Sequence, residues 1–105
     1  MLLLTLIRGT TPTLDFVLDE NIEDLNLDVL YMTFKQQDRV VIEKGINDVT
    51  ISENVIKIEL TQDETLSFRK NQEVRIQARM RTGNKAYATS KITMSVDDTL
   101  KEGVI

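Results

Sequence analysis

The chain is 105 residues long, 41% hydrophobic, and carries a net charge of −4. That length suits one domain, residues 1–105, with a single modest core. It holds no Cys and no His, which excludes thiolate and imidazole metal sites, Cys nucleophiles, imidazole general bases and any disulfide framework.

Met1-Leu2-Leu3-Leu4-Thr5-Leu6-Ile7 is apolar but stops at Arg8-Gly9. A membrane span takes about 20 apolar residues. A secretory leader needs a basic flank before the apolar run and a small-residue cleavage site after it, and both are missing. The segment therefore reads as a first strand, with no membrane role expected. Alternation puts Leu2, Leu4 and Leu6 on one face and Leu3, Thr5 and Ile7 on the other. A strand apolar on both faces is either enclosed in the core or covered by another subunit. Core packing is the simpler reading; the other makes Leu2, Leu4 and Leu6 candidate interface residues.

Period-two alternation dominates the rest of the chain. Leu14, Phe16 and Leu18 alternate with Asp15 and Val17, and Leu30, Met32 and Phe34 with Tyr31, Thr33 and Lys35. Val40-Val41-Ile42 is a short β-branched run, which favours a strand. Ile56, Ile58 and Leu60 alternate with Lys57 and Glu59, and Val74, Ile76, Ala78 and Met80 with Arg75, Gln77, Arg79 and Arg81. Each is the pattern of a half-buried strand. The breaks are turn chemistry: Arg8-Gly9-Thr10-Thr11-Pro12, Gln36-Gln37-Asp38-Arg39, Ser52-Glu53-Asn54 and Thr82-Gly83-Asn84-Lys85. The Gly-Asn pair in the last is a hairpin signal, expected to join a strand over 73–82 to one over 85–96. Thr61-Gln62-Asp63-Glu64 fits a capping box and predicts a short helical turn over 62–68. The acidic stretch Glu20–Leu25 fits a loop or a second helical turn. Seven or eight short strands with turns every 8–12 residues predict an all-β fold. The expected architecture is a two-sheet antiparallel β-sandwich, immunoglobulin-like, with one helical crossover.

The charge is uneven. Residues 1–60 carry 11 acidic and 5 basic side chains, and residues 61–105 carry 6 acidic and 8 basic. An acidic domain is a poor general ligand for nucleic acid, so no nucleic-acid partner is expected. The asymmetry permits contacts between copies, although solvated strand faces explain it more simply. Arg75, Arg79 and Arg81 should share one sheet face. Aromatic residues make up 5% of the chain, too few for a stacking platform, so that face is either merely exposed or a site for a charged protein partner.

The carboxylate pairs Asp19-Glu20, Glu23-Asp24, Asp63-Glu64 and Asp97-Asp98 are not catalytic dyads by themselves, because neighbours in a strand point to opposite faces. Asp19, Glu20, Asn21, Glu23 and Asp24 offer oxygens to a hard cation but lack the spacing and central Gly of an EF-hand loop; a solvated acidic loop is the plainer account. Gly9, Gly45, Gly83 and Gly103 are isolated, so no glycine-rich phosphate loop occurs. No catalytic, cofactor or metal residue is assigned. Leu100, Val104 and Ile105 add apolar surface past the last strand, and Val104 and Ile105 join the candidate interface.

Three stretches carry a resemblance: Arg8-Gly9-Thr10-Thr11-Pro12-Thr13, Leu60-Thr61-Gln62-Asp63-Glu64-Thr65-Leu66-Ser67-Phe68 and Lys101-Glu102-Gly103-Val104-Ile105, with the strand Glu73-Val74-Arg75-Ile76-Gln77-Ala78-Arg79 between the last two. On these the chain resembles a family of small proteins encoded in prophages and tailed phages of Gram-positive bacteria. More distantly its layout is similar to the N-terminal domain of phage baseplate upper proteins. The resemblance implies a structural or assembly role in a phage tail or baseplate, without catalysis. It also implies a virion or host-cytoplasm location and a protein partner: another virion protein or a second copy in a homo-oligomer. The other readings are a carbohydrate-binding β-sandwich, for which only Tyr31 and Tyr87 offer aromatic surface, and a small regulator of host machinery.

Overall fold

The structure, a computed structural model, describes residues 5–105. Candidate residues Leu2 and Leu4 lie outside the described residues. The strands are β1 (Thr5–Ile7), β2 (Thr13–Val17), β3 (Val29–Gln36), β4 (Arg39–Gly45), β5 (Thr50–Ser52), β6 (Val55–Glu59), β7 (Val74–Thr82), β8 (Lys85–Ala88) and β9 (Ile92–Asp97). One short helix, α1 (Gln62–Leu66), joins β6 to β7, and two single 3-10 turns cover Glu23–Leu25 and Ile46–Asp48. The chain forms an all-β sandwich of a six-stranded and a three-stranded sheet.

The large sheet runs β1-β9-β7-β3-β4, with β8 also on β7; the small sheet runs β2-β6-β5. At the centre of the large sheet, β3 and β7 pair antiparallel with Leu30 opposite Met80, Met32 opposite Ala78 and Phe34 opposite Ile76. These are the apolar positions of the two alternating runs, and all six are buried. The register is set by the need to bury that set, since a slip of one residue would turn it to solvent. Phe16, Ile56 and Ile58 face them from the small sheet. Phe16 meets Phe34 edge to face at 6.5 Å, and Phe68, just past α1, reaches Phe34 at 6.1 Å.

α1 starts as the capping box requires. Thr61 Oγ1 accepts from the Glu64 amide, and Glu64 Oε1 accepts from the Thr61 amide. It carries the chain from the small sheet to the large one, and the buried Thr65 fastens it. Thr65 Oγ1 accepts from Gly9 N at 3.0 Å and donates to the Thr10 carbonyl at 2.8 Å. Arg8 adds a second tie, donating to the Leu66 carbonyl and pairing with Asp98 at 3.0 Å.

Three details differ from the sequence reading. First, β1 pairs with β9 in parallel, so the large sheet is not wholly antiparallel. β1 and β9 are the first and last described strands, with no tight turn between them to impose antiparallel pairing, and Thr5 Oγ1 meets Ser95 Oγ at 2.9 Å across the pair. Second, the expected strand over 85–96 is broken at 89–91. Thr89 takes over the ladder there: its amide donates to the Ala78 carbonyl, and its hydroxyl accepts from the Ala78 amide at 3.1 Å. Third, Val41 is the extra residue of a bulge in β4, since Phe34 faces Ile42 while Lys35 faces Val40. The bulge leaves Val40 on the outer face, 51% exposed.

Candidate interaction surface

The outer face of the large sheet is read directly from the register. Pairing of β3 with β7 sets Tyr31 opposite Arg79, Thr33 opposite Gln77, Lys35 opposite Arg75 and Val29 opposite Arg81. β4 adds Glu43 beside Thr33 and Val40 beside Lys35. On the other side of β7, Ala86 and Ala88 stand beside Arg81 and Arg79, and Thr93 stands beside Arg75. Directly opposed side chains on one sheet face have Cβ atoms about 4.5–5.5 Å apart. The face is therefore one continuous surface, and Arg75, Arg79 and Arg81 do share it as expected.

Two shallow depressions lie on this face. One is lined by Lys35, Arg75, Arg79 and Lys91 with Val40 and Gln77. Four cations border it and no carboxylate does. The other gathers Tyr31, Glu43, Arg79 and Arg81. Among the described residues, Lys35, Arg75, Arg79, Arg81 and Lys91 form no ion pair; the pairs present are Arg8 with Asp98, Lys70 with Asp98 and Lys44 with Glu64. Arg75 and Arg81 each donate to a backbone carbonyl, of Gln37 and Gly83 respectively. Those bonds hold the guanidinium groups without neutralising them. An acidic chain thus presents a locally positive face, with Tyr31 48% exposed and Val40 half-exposed between the charges.

The other candidate residues fall elsewhere. Leu6 is 2% exposed and belongs to the core, so its assignment to an interface is corrected: the side chain is already enclosed by its own domain. Val104 and Ile105 are exposed, as expected. They lie beside α1, where Gln62 exchanges two hydrogen bonds with the Ile105 backbone, at 2.9 and 3.2 Å. Lys35, Tyr31 and Val40 were not singled out for the face from the sequence, because their place next to the arginines depends on β3 pairing with β7. The two tyrosines do not form one platform. Tyr31 is on the outer face, whereas Tyr87 lies opposite the buried Met80 and so on the inner one.

The Glu64 carboxyl has a displaced equilibrium. Burial alone would raise its carboxyl. The hydrogen bond from Lys44 at 2.6 Å, the Thr61 amide and the Lys44 charge outweigh that and hold it below the usual carboxylate range. This serves the helix cap and lies away from the basic face. The described residues hold no cluster of three or more acidic side chains placed to share a metal ion, and no helix is long and apolar enough to cross a membrane. The sequence matches no protein-family model and no curated protein.

Proposed function

We propose that this chain is a structural or assembly protein of a tailed phage or prophage, of the tail or baseplate kind, acting through protein–protein contacts without catalysis. The phage assignment rests on the resemblance carried by residues 8–13, 60–68 and 101–105. The contact role rests on one observation: the outer face of the large sheet groups Lys35, Arg75, Arg79, Arg81 and Lys91, which form no ion pair among the described residues, with Glu43 at its edge, around exposed Tyr31 and Val40. Interfaces favour Arg and Tyr near their centres. A rigid central pair of strands holds these groups in place, so little side-chain freedom is lost when a partner docks. Unpaired surface cations also steer an acidic partner during encounter.

The test is complementation in a host whose prophage lacks the gene. Wild-type protein restores infective particles. The Arg75→Glu/Arg79→Glu variant, soluble and folded because both side chains are exposed, does not. Normal particle yield without the gene, or full rescue by the variant, overturns the reading.

A further inference from the structure

The two sheets are unequal, and the mismatch leaves a groove. Six strands face three, so the small sheet ends at β2 while the large one continues through β7 to β8. The inner face of the large sheet is uncovered there. Tyr87 sits opposite Met80 on that inner face, yet it is 41% exposed while Met80 is 5% exposed. A cleft opens between β2 and the β8–β9 break. Its floor is apolar, made by Phe16, Ile56, Ile76, Ala78 and Met80, and Val17, Asp19, Glu20 and Tyr87 stand at its rim.

Phe16 and Val17 of β2 form one wall of the cleft, and the edge of β2 away from β6 is unpaired among the described residues. Among the described residues β2 pairs only with β6. At the two ends of that ladder Leu60 N donates to the Pro12 carbonyl and Leu18 N to the Asn54 carbonyl. Hydrogen-bonded pairs recur every second residue in an antiparallel ladder, so Leu14 and Phe16 turn their backbone groups to β6. The amides and carbonyls of Thr13, Asp15 and Val17 point the other way, Val17 at the cleft itself and the other two along the edge leading to it, and no hydrogen bond among the described residues takes them up. Val17 is 67% exposed. Short edge strands with a flanking Pro and a charge are a common protection against pairing, and Pro12 and Asp15 supply both. An apolar trough alongside the edge has no place in that protective scheme. It does match strand addition, where main-chain bonds give affinity and pockets for alternate side chains give specificity.

We propose that this cleft is the docking groove for an extended segment of a partner protein, added to β2 as a fourth strand of the small sheet. The five residues of β2 set the length of the added strand. Alternate side chains enter the cleft and are apolar. Charge complementarity sets the rest: Asp19 and Glu20 stand at the rim and make no ion pair among the described residues, so the outward positions of the segment are Lys or Arg. The groove lies on the opposite face of the large sheet from Arg75 and Arg79, and its occupation does not depend on what binds there.

The probe is the capped peptide Lys-Val-Lys-Val-Lys-Val-Lys, titrated into the full isotope-labelled chain and followed by NMR. The expected result is saturable shifts at the amides of Thr13, Asp15 and Val17 and at side chains of Ile76 and Met80. Hydrogen exchange at the three amides slows in the complex. Asp19→Lys/Glu20→Lys, two exposed positions, weakens binding several-fold. N-methylation of one alternate set of peptide amides abolishes binding while methylation of the other set leaves it, because a strand offers only one edge to its neighbour. That last arm alters the peptide alone and leaves the fold untouched. Absence of saturable shifts overturns the proposal. So do shifts confined to other surfaces, equal binding of a peptide with Asp in place of Lys, or indifference to which amide set is methylated.

Discussion

Glu64 does two things with one carboxylate: Oε1 accepts from the Thr61 amide and Oε2 pairs with Lys44 of β4. It therefore closes the helix start and ties α1 to the edge of the large sheet. Its folded equilibrium is shifted down, so its stabilisation is complete above the unfolded value near 4.3 and is lost as pH falls through the lower folded value. Glu64→Ala should cost about 1 kcal/mol at neutral pH, the usual worth of a cap. In urea unfolding the gap between wild type and variant should shrink when the measurement is repeated at about pH 3. A gap independent of pH would show that the charge plays no part. The capping box was legible in Thr61-Gln62-Asp63-Glu64, since both partners are local; Lys44 was not, because its approach depends on tertiary packing. Gln36 was equally hidden. It is 1% exposed, and its amide both accepts from Arg69 N at 2.7 Å and donates to the Arg69 carbonyl at 2.8 Å. A glutamine ending an alternating run looks like a turn residue until its distant partner is in place.

At the scale of elements, alternation identified β2, β3, β6 and β7 and their buried faces, because a strand's two faces are written in its own residues. The Gly83-Asn84 turn was equally readable, with Gly83 at φ 58°. The other two-residue hairpins fall where Gln36-Gln37-Asp38-Arg39 and Ser52-Glu53-Asn54 mark turns, although Gln37 and Glu53, at φ 52° and 54°, are not the residue types that favour that backbone. The break between β8 and β9 was not legible. Thr89 is a strand-favouring residue, and only its hydroxyl's bond to Ala78 N shows that it interrupts the ladder. Thr89→Val keeps the shape and removes that acceptor. The Ala78 amide then has no partner, at a cost of about 1 kcal/mol, and native-state hydrogen exchange at Ala78 should quicken while the amides of β3 stay protected. Unchanged exchange at Ala78 would mean the hydroxyl is not the bond that holds the seam.

The whole molecule is elongated, about 46 × 27 × 24 Å, with a radius of gyration of 14.3 Å against about 13 Å for a compact chain of this length. Unequal sheets in an elongated body leave more strand surface exposed than a balanced sandwich would. That surface is differentiated: positive on the outer face of the large sheet, acidic around Asp19 and Glu20 at the cleft. The overall charge of −4 concealed this division, because the cations converge only when β3, β7 and the start of β9 are brought together. In the proposed function, the resemblance to small prophage and tailed-phage proteins gives the class of partner and the sheet face is the proposed contact. The most direct measurement is co-sedimentation of the purified chain with phage particles assembled without it. Wild type should pellet saturably with the particles, with an affinity that falls as salt is raised, while Arg75→Glu/Arg79→Glu remains in the supernatant. Equal pelleting of both proteins, or of neither, would contradict an account in which the outer face of the large sheet docks the chain into a virion.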